Sequence, residues 1–142
     1  MKKVIALTLC GMTLMTAGAQ KATVEQAKKL SGKPEKIEEA RSLIKEALAN
    51  PETANDPLTY YTAGKIEWDA YDKNQQKLMA TPDAADPIEV ADELLNGYSY
   101  FLQVFPLEVN DPKQKYTKEL QKKIAEKHNN FWEAGATYYG EQ

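Results

Sequence analysis

Three times in this 142-residue chain an aspartate stands immediately before a proline, as Asp56-Pro57, Asp86-Pro87 and Asp111-Pro112. Each pair is a helix start. The carboxylate accepts one of the backbone N–H groups that the first turn leaves unpaired, and proline fits the first helical position, where no N–H is needed. Glu89, three residues after Asp86, adds the pattern of a capping box. Further punctuation comes from Pro34 behind the turn residues Ser31-Gly32, and from Asn50-Pro51, which reads as a stop. A chain marked in this way is restricted to helices of limited length joined by short turns, and strand signals are nearly absent.

Between the marks the apolar residues recur at helical spacing. In Pro34–Asn50 they are Ile37, Ala40, Leu43, Ile44, Ala47 and Leu48, a single stripe. In Pro87–Phe105 one set runs through Ile88, Ala91, Leu94 and Tyr98, and a second through Gly97, Phe101 and Val104. A helix apolar on two sides is sandwiched between neighbours. Pro112–Gly140 carries Tyr116, Leu120, Ile124, Phe131, Gly135 and Tyr138 and reads as one long helix. Helices near residues 22–30 and from Pro57 to about Asn74 complete five, with Met79–Ala85 as a connecting loop.

The first residues differ in kind. Lys2 and Lys3 precede an apolar run from Val4 to Met15, followed by Ala17-Gly18-Ala19-Gln20. A basic start, a short apolar run and an A-x-A site form a secretory signal peptide. The run of roughly 12 residues is shorter than the ~20 that a membrane-spanning helix requires. A lipid anchor on Cys10 is disfavoured because Leu9, a large residue, precedes it and the apolar run has barely begun. The expectation is therefore a signal peptide at 1–19 and a helical domain at 20–142, exported to the periplasm or associated with the outer membrane. Residues 20–142 contain no cysteine, so the domain is held by its core alone, without disulfides, thiol chemistry or cysteine-bound zinc. Loss of Lys2 and Lys3 moves the formal charge from −3 to −5. With charges of both signs well mixed and no basic block, neither nucleic acid nor an anionic membrane surface is expected as a partner. No second long apolar run suggests membrane insertion.

The stretch from Tyr60 to Trp68 (YYTAGKIEW) recurs in altered form from Phe131 to Tyr139 (FWEAGATYY), 71 residues on. Both have two aromatics, a variable residue, Ala-Gly, and an aromatic four residues beyond the glycine. This resembles the first helix of a tetratricopeptide repeat, and 71 is close to two such repeats. Tyr60, Ala63 and Gly64, and again Phe131, Ala134, Gly135 and Tyr138, carry the likeness. The family's second helix is similar to Ala40, Ile44 and Ala47 followed by Pro51, with a looser copy in Gly97, Phe101 and Val104. Glu67 departs from the pattern by standing where the family has an aromatic, and the loop after that helix is long. The resemblance implies antiparallel helix pairs stacked as a short solenoid, with small residues at close helix approaches. It also implies a concave surface faced by Tyr61, Trp68, Trp132 and Tyr139, the residues three before and four after each glycine. A generic helical bundle is the plainer alternative. Solenoids close on a polar capping helix, whereas this sequence stops on Tyr138-Tyr139-Gly140-Glu141-Gln142. Either the sequence continues in a longer protein, the expected case, or another chain covers the last face.

No catalytic constellation emerges. His128 is the only histidine, on a helical stripe beside Asn129 and Asn130. Ser42-Leu43-Ile44-Lys45 matches the S-x-x-K pattern of serine acyl-enzymes, but the companion S-D-N and K-T-G motifs are missing. The acidic stretch at Asp69 and Asp72–Asn74 lacks the glycine and spacing of a calcium loop. No phosphate-binding loop and no cofactor motif are present. The expected function is a non-catalytic module that binds a protein or peptide. The alternative is a glycan or small-ligand module, since Tyr and Trp rings suit both. Cleavage is expected between Ala19 and Gln20, and intact-mass analysis of envelope protein checks it; a mature chain starting at Met1, or a lipidated Cys10, would overturn this address.

Overall fold

The computed structural model describes residues 17–140. The basic and apolar parts of the expected signal peptide, through Thr16, lie outside them. Among the described residues the chain is all-helical, with six α-helices: α1 (Ala17–Ser31), α2 (Ile37–Ala49), α3 (Pro57–Ala80), α4 (Pro87–Glu108), α5 (Lys115–Glu126) and α6 (His128–Gly140). A 3-10 turn at Pro34–Lys36 leads into α2. None of these helices is long and apolar enough to cross a membrane.

Two of the three Asp-Pro starts are caps as written. Asp56 accepts the N–H of Leu58 at 2.9 Å and Asp86 that of Ile88 at 2.8 Å. The third is not. Asp111 accepts from Lys113 within the turn, at 2.9 Å, and the helix begins only at Lys115. There the cap comes from a distance: Glu108, the last residue of α4 and 3% exposed, accepts the N–H groups of Tyr116 at 3.1 Å and Thr117 at 2.6 Å. A carboxylate at a helix N-terminus is stabilised by the unpaired N–H groups and the helix dipole together. Gln114, at φ 42°, makes the sharp turn that brings those groups to Glu108. The C-terminal ends of α3 and α4 shift outward, to Ala80 and Glu108, whereas α2 is confined to Ile37–Ala49. The expected single helix at Pro112–Gly140 is interrupted at Lys127, whose backbone (φ −88°, ψ 7°) leaves the helical region for one residue. Hydrogen bonds from the Lys127 N–H to Lys123 and Ile124, and from the Phe131 N–H to Lys127, carry the ladder across. Helices α5 and α6 are thus one bent rod.

Helices α1 and α2 pack on each other and both pack on α3; α3 and α4 form the most extensive pair; α4 packs on α5 and α6. Two apolar clusters result. Val24, Ile37, Ile44 and Ile66 belong to the one between α1, α2 and α3, and Trp68, Leu94, Phe101 and Leu120 to the one between α3, α4 and α5. Between the clusters Arg41 of α2 bonds both carboxylate oxygens of Glu67 on α3, at 3.0 and 2.7 Å, and Glu93 on α4 at 3.0 Å. Glu67, the departure from the repeat pattern, is therefore the acceptor of a three-helix ion cluster. The Asn74 side-chain amide nitrogen donates to both carboxylate oxygens of Glu93, at 2.9 and 3.0 Å, which leaves these carboxylates well partnered.

Helices α3 and α4 come close together where Gly64 faces Gly97. A Cβ at Gly64 would lie 2.8 Å from the Gly97 carbonyl oxygen and overlap the Phe101 ring. One at Gly97 would lie 2.9 Å from the Gly64 oxygen and 2.7 Å from the Trp68 indole nitrogen. The helices run antiparallel, and the aromatic four residues after each glycine covers the glycine of the other helix. The Ala63-Gly64 pair thus marks a close helix contact, as expected. Ala134-Gly135 does not: Ala134 is buried, but a Cβ at Gly135 would meet nothing within 4 Å. The two glycines should therefore respond oppositely to alanine. Gly64→Ala is expected to lower stability by roughly 1–3 kcal/mol through overpacking. Gly135→Ala should be neutral or stabilising by up to about 1 kcal/mol, through alanine's better helix propensity. Denaturation curves of both variants check this, and equal effects would contradict the crossing.

Candidate surface on the last helix

The four aromatics expected on one surface divide into two pairs. Tyr61 and Trp68 are 5% and 6% exposed, so neither lines a free groove, and the expectation for them is corrected. The cause is the packing of α4 over Gly64 and Trp68 and of α5 over Tyr61. Trp68 stacks edge-on against Phe101, with centroids 4.7 Å apart at 89°, and its indole N–H donates to the Leu94 carbonyl at 3.0 Å. Tyr61 packs against Tyr116 at 4.8 Å, and its hydroxyl donates to Glu119 at 2.5 Å. Burial, and then the Glu119 carboxylate, push the Tyr61 hydroxyl well above the usual tyrosine range.

Trp132 and Tyr139 are 80% and 83% exposed. With Phe131, Gly135 and Ala136 they line a shallow depression of about 400 Å³ on the outer side of α6. None of the five residues is charged. Phe131 and Ala136 complete this surface and were not among the residues expected to form it. For Ala136 the signal was present in the helical periodicity, which places residues 132, 135, 136 and 139 on one face; Phe131 borders that face from the side that packs on Tyr98.

The opposite side of α6 is firmly held. Ala134 is buried, Phe131 packs edge-on against Tyr98 with centroids at 5.2 Å, and Asn130 donates to the Tyr71 hydroxyl at 3.0 Å. Tyr138 hydrogen-bonds to Asp92 of α4. At the bend, the Lys127 ammonium pairs with Asp72 and sits 4.9 Å from the Tyr71 ring centroid. The outer aromatics are thus presented from a fixed helix rather than from a loop.

Two other concave regions carry charged side chains that are paired internally. A cleft beside the turn between α1 and α2 includes Asp69, Asp72 and Lys73. A second, between α3 and the bent rod, includes Lys65, Asp69 and Lys127. Lys65 bonds Asp69 at 2.5 Å, Lys127 takes Asp72, and Lys73 donates to the Pro34 carbonyl at 2.7 Å. Ser42 and Lys45 of the S-x-x-K match are both exposed, as is His128. Among the described residues no group of three or more His, Cys, Asp or Glu side chains is placed to hold a metal ion.

The two tryptophans should therefore separate in a stability experiment. Trp68→Ala is expected to cost roughly 3–5 kcal/mol, as for a buried large aromatic. Trp132→Ala should stay within about 0.5 kcal/mol of the parent. Chemical denaturation of the two variants checks this, and a large loss for Trp132→Ala would place that ring in a core. No family model, curated protein or solved structure matches this chain.

Proposed function

We propose that the protein is an exported, non-catalytic interaction module of tetratricopeptide-like construction, which holds a protein or peptide partner on the outer face of α6. One observation carries the reading: Trp132 and Tyr139, two large rings at 80% and 83% exposure, flank a bare glycine on an uncharged helix face. Exposed Trp and Tyr are costly to leave in water and are the residue types that dominate binding energy when covered. Glycine between them lets a partner backbone come close. The paired helices α1/α2 and α3/α4, followed by the bent rod α5–α6, support the repeat reading, and the A-x-A segment ending at Ala19 supports export.

The face suits a helix better than a sugar. A sugar site joins ring stacking to several convergent polar groups. Here the lining offers only the indole N–H and the tyrosine hydroxyl beside Phe131, Gly135 and Ala136.

The test compares binding to envelope extract with binding to a glycan array, for the parent and for the Trp132→Ala/Tyr139→Ala double variant. A protein or peptide retained by the parent and weakened at least ~30-fold in the double variant is expected, since each hot spot contributes about 2 kcal/mol. Glycan binding without protein binding, or the same proteins held equally by both forms, would overturn the reading.

A further inference from the structure

The α3/α4 contact offers a template for what the α6 face would accept. Three helices of this chain carry glycine followed four residues later by an aromatic: Gly64 and Trp68 on α3, Gly97 and Phe101 on α4, Gly135 and Tyr139 on α6. The first two copies pair with each other. Each glycine admits the other helix, and each aromatic covers the opposite glycine, so that Phe101 lies on Gly64 and Trp68 on Gly97. The arrangement has approximate two-fold symmetry, because both helices contribute the same half in opposite directions.

A half of this kind is complementary to itself. Among the described residues the third copy has no partner: Gly135 has open space where a Cβ would be, and Tyr139 is exposed. We propose that the α6 face pairs with α6 of a second copy of this chain, antiparallel, in a two-fold dimer. Tyr139 of each copy covers Gly135 of the other, as Trp68 and Phe101 do between α3 and α4. Trp132 takes the position of Tyr61, which lies 6.1 Å from Phe101, and meets Tyr139 of the second copy. The inference rests on the reading of α6 as a binding surface and names its occupant.

Two further observations favour a second copy over an unlike partner. A two-fold interface places residues beside their own counterparts, so any charge near the axis would face a like charge. The residues lining the depression include no Lys, Arg, Asp or Glu. Burial is also sufficient for a weak dimer. Large aromatics bury about 150–250 Å² each. Two per copy, with the helix surface between them, give a total interface of roughly 1,000 Å², at the small end for specific association. An interface of this size is expected to associate weakly and reversibly.

The experiment is sedimentation velocity from about 1 to 500 µM on the purified protein, in the form that its intact mass identifies. A concentration-dependent monomer–dimer equilibrium is expected. Gly135→Leu and Tyr139→Ala should each weaken it at least tenfold. Met79→Ala, at an exposed apolar residue on α3, should leave it unchanged. Thermal melting at 1 µM guards against misfolding, since Gly135 and Tyr139 contribute little to the monomer core. A protein that stays monomeric to 500 µM would overturn the dimer, as would a dimer insensitive to both α6 variants. A synthetic peptide of residues 87–108 separates this failure from that of the broader reading. If the monomer binds that peptide and Tyr139→Ala abolishes binding, self-pairing is wrong but the surface stands. If it neither dimerises nor binds the peptide or any envelope partner, both fall.

Discussion

The contact between Gly64 and Gly97 determines most of what surrounds it. With no side chain on either residue, α3 and α4 approach until each carbonyl lies near the opposite glycine, and the space beside the crossing is closed by Trp68 and Phe101. Close-packed interiors tolerate little excess volume, so this crossing fixes where the neighbouring aromatics go. Tyr61 is held between Phe101 and Tyr116, and Trp68 reaches the Leu94 carbonyl. The bent rod α5–α6 then packs on α4, capped at one end by Glu108 and tied at the other by Asp92.

Much of this was legible in the sequence because it is local. Caps at Asp56 and Asp86, the stripe along α2 and the two-sided apolar pattern of α4 depend on residues within a turn or two of each other. What was not legible depends on distant residues. The cap on α5 comes from Glu108, which lies across a turn from the helix that it serves, whereas Asp111-Pro112 had the better local signature. The bend at Lys127 has no proline or glycine to announce it; its side chain instead reaches Asp72 and the Tyr71 ring on α3.

The aromatics show the same limit more sharply. The sequence match puts Tyr61 and Trp68 in line with Trp132 and Tyr139: all four lie three before or four after a helix glycine. Their environments are nevertheless opposite, because α4 and α5 cover the first pair. A sequence motif specifies the shape that a helix face offers. Whether that face is covered depends on which other helix presents the matching shape, and only the packing of α3 on α4 shows that Gly97 and Phe101 supply it.

The proposal that α6 is a binding surface draws on how the helix is held. Association has to overcome the entropy of ordering whatever is mobile at the interface, about 0.5–1.5 kcal/mol for each side chain immobilised. Here the helix is immobilised before any partner arrives, through Ala134, Asn130 and Tyr138 on its inner side. Rigid rings such as Trp132 and Tyr139 have only two side-chain torsions each to fix. The remaining cost falls mainly on overall translation and rotation, which even a small apolar face can offset when its rings are otherwise in water. In the proposed role the buried side of α6 would therefore contribute to binding without touching a partner: the contacts that stabilise the helix also keep Gly135 accessible and its two rings on one face.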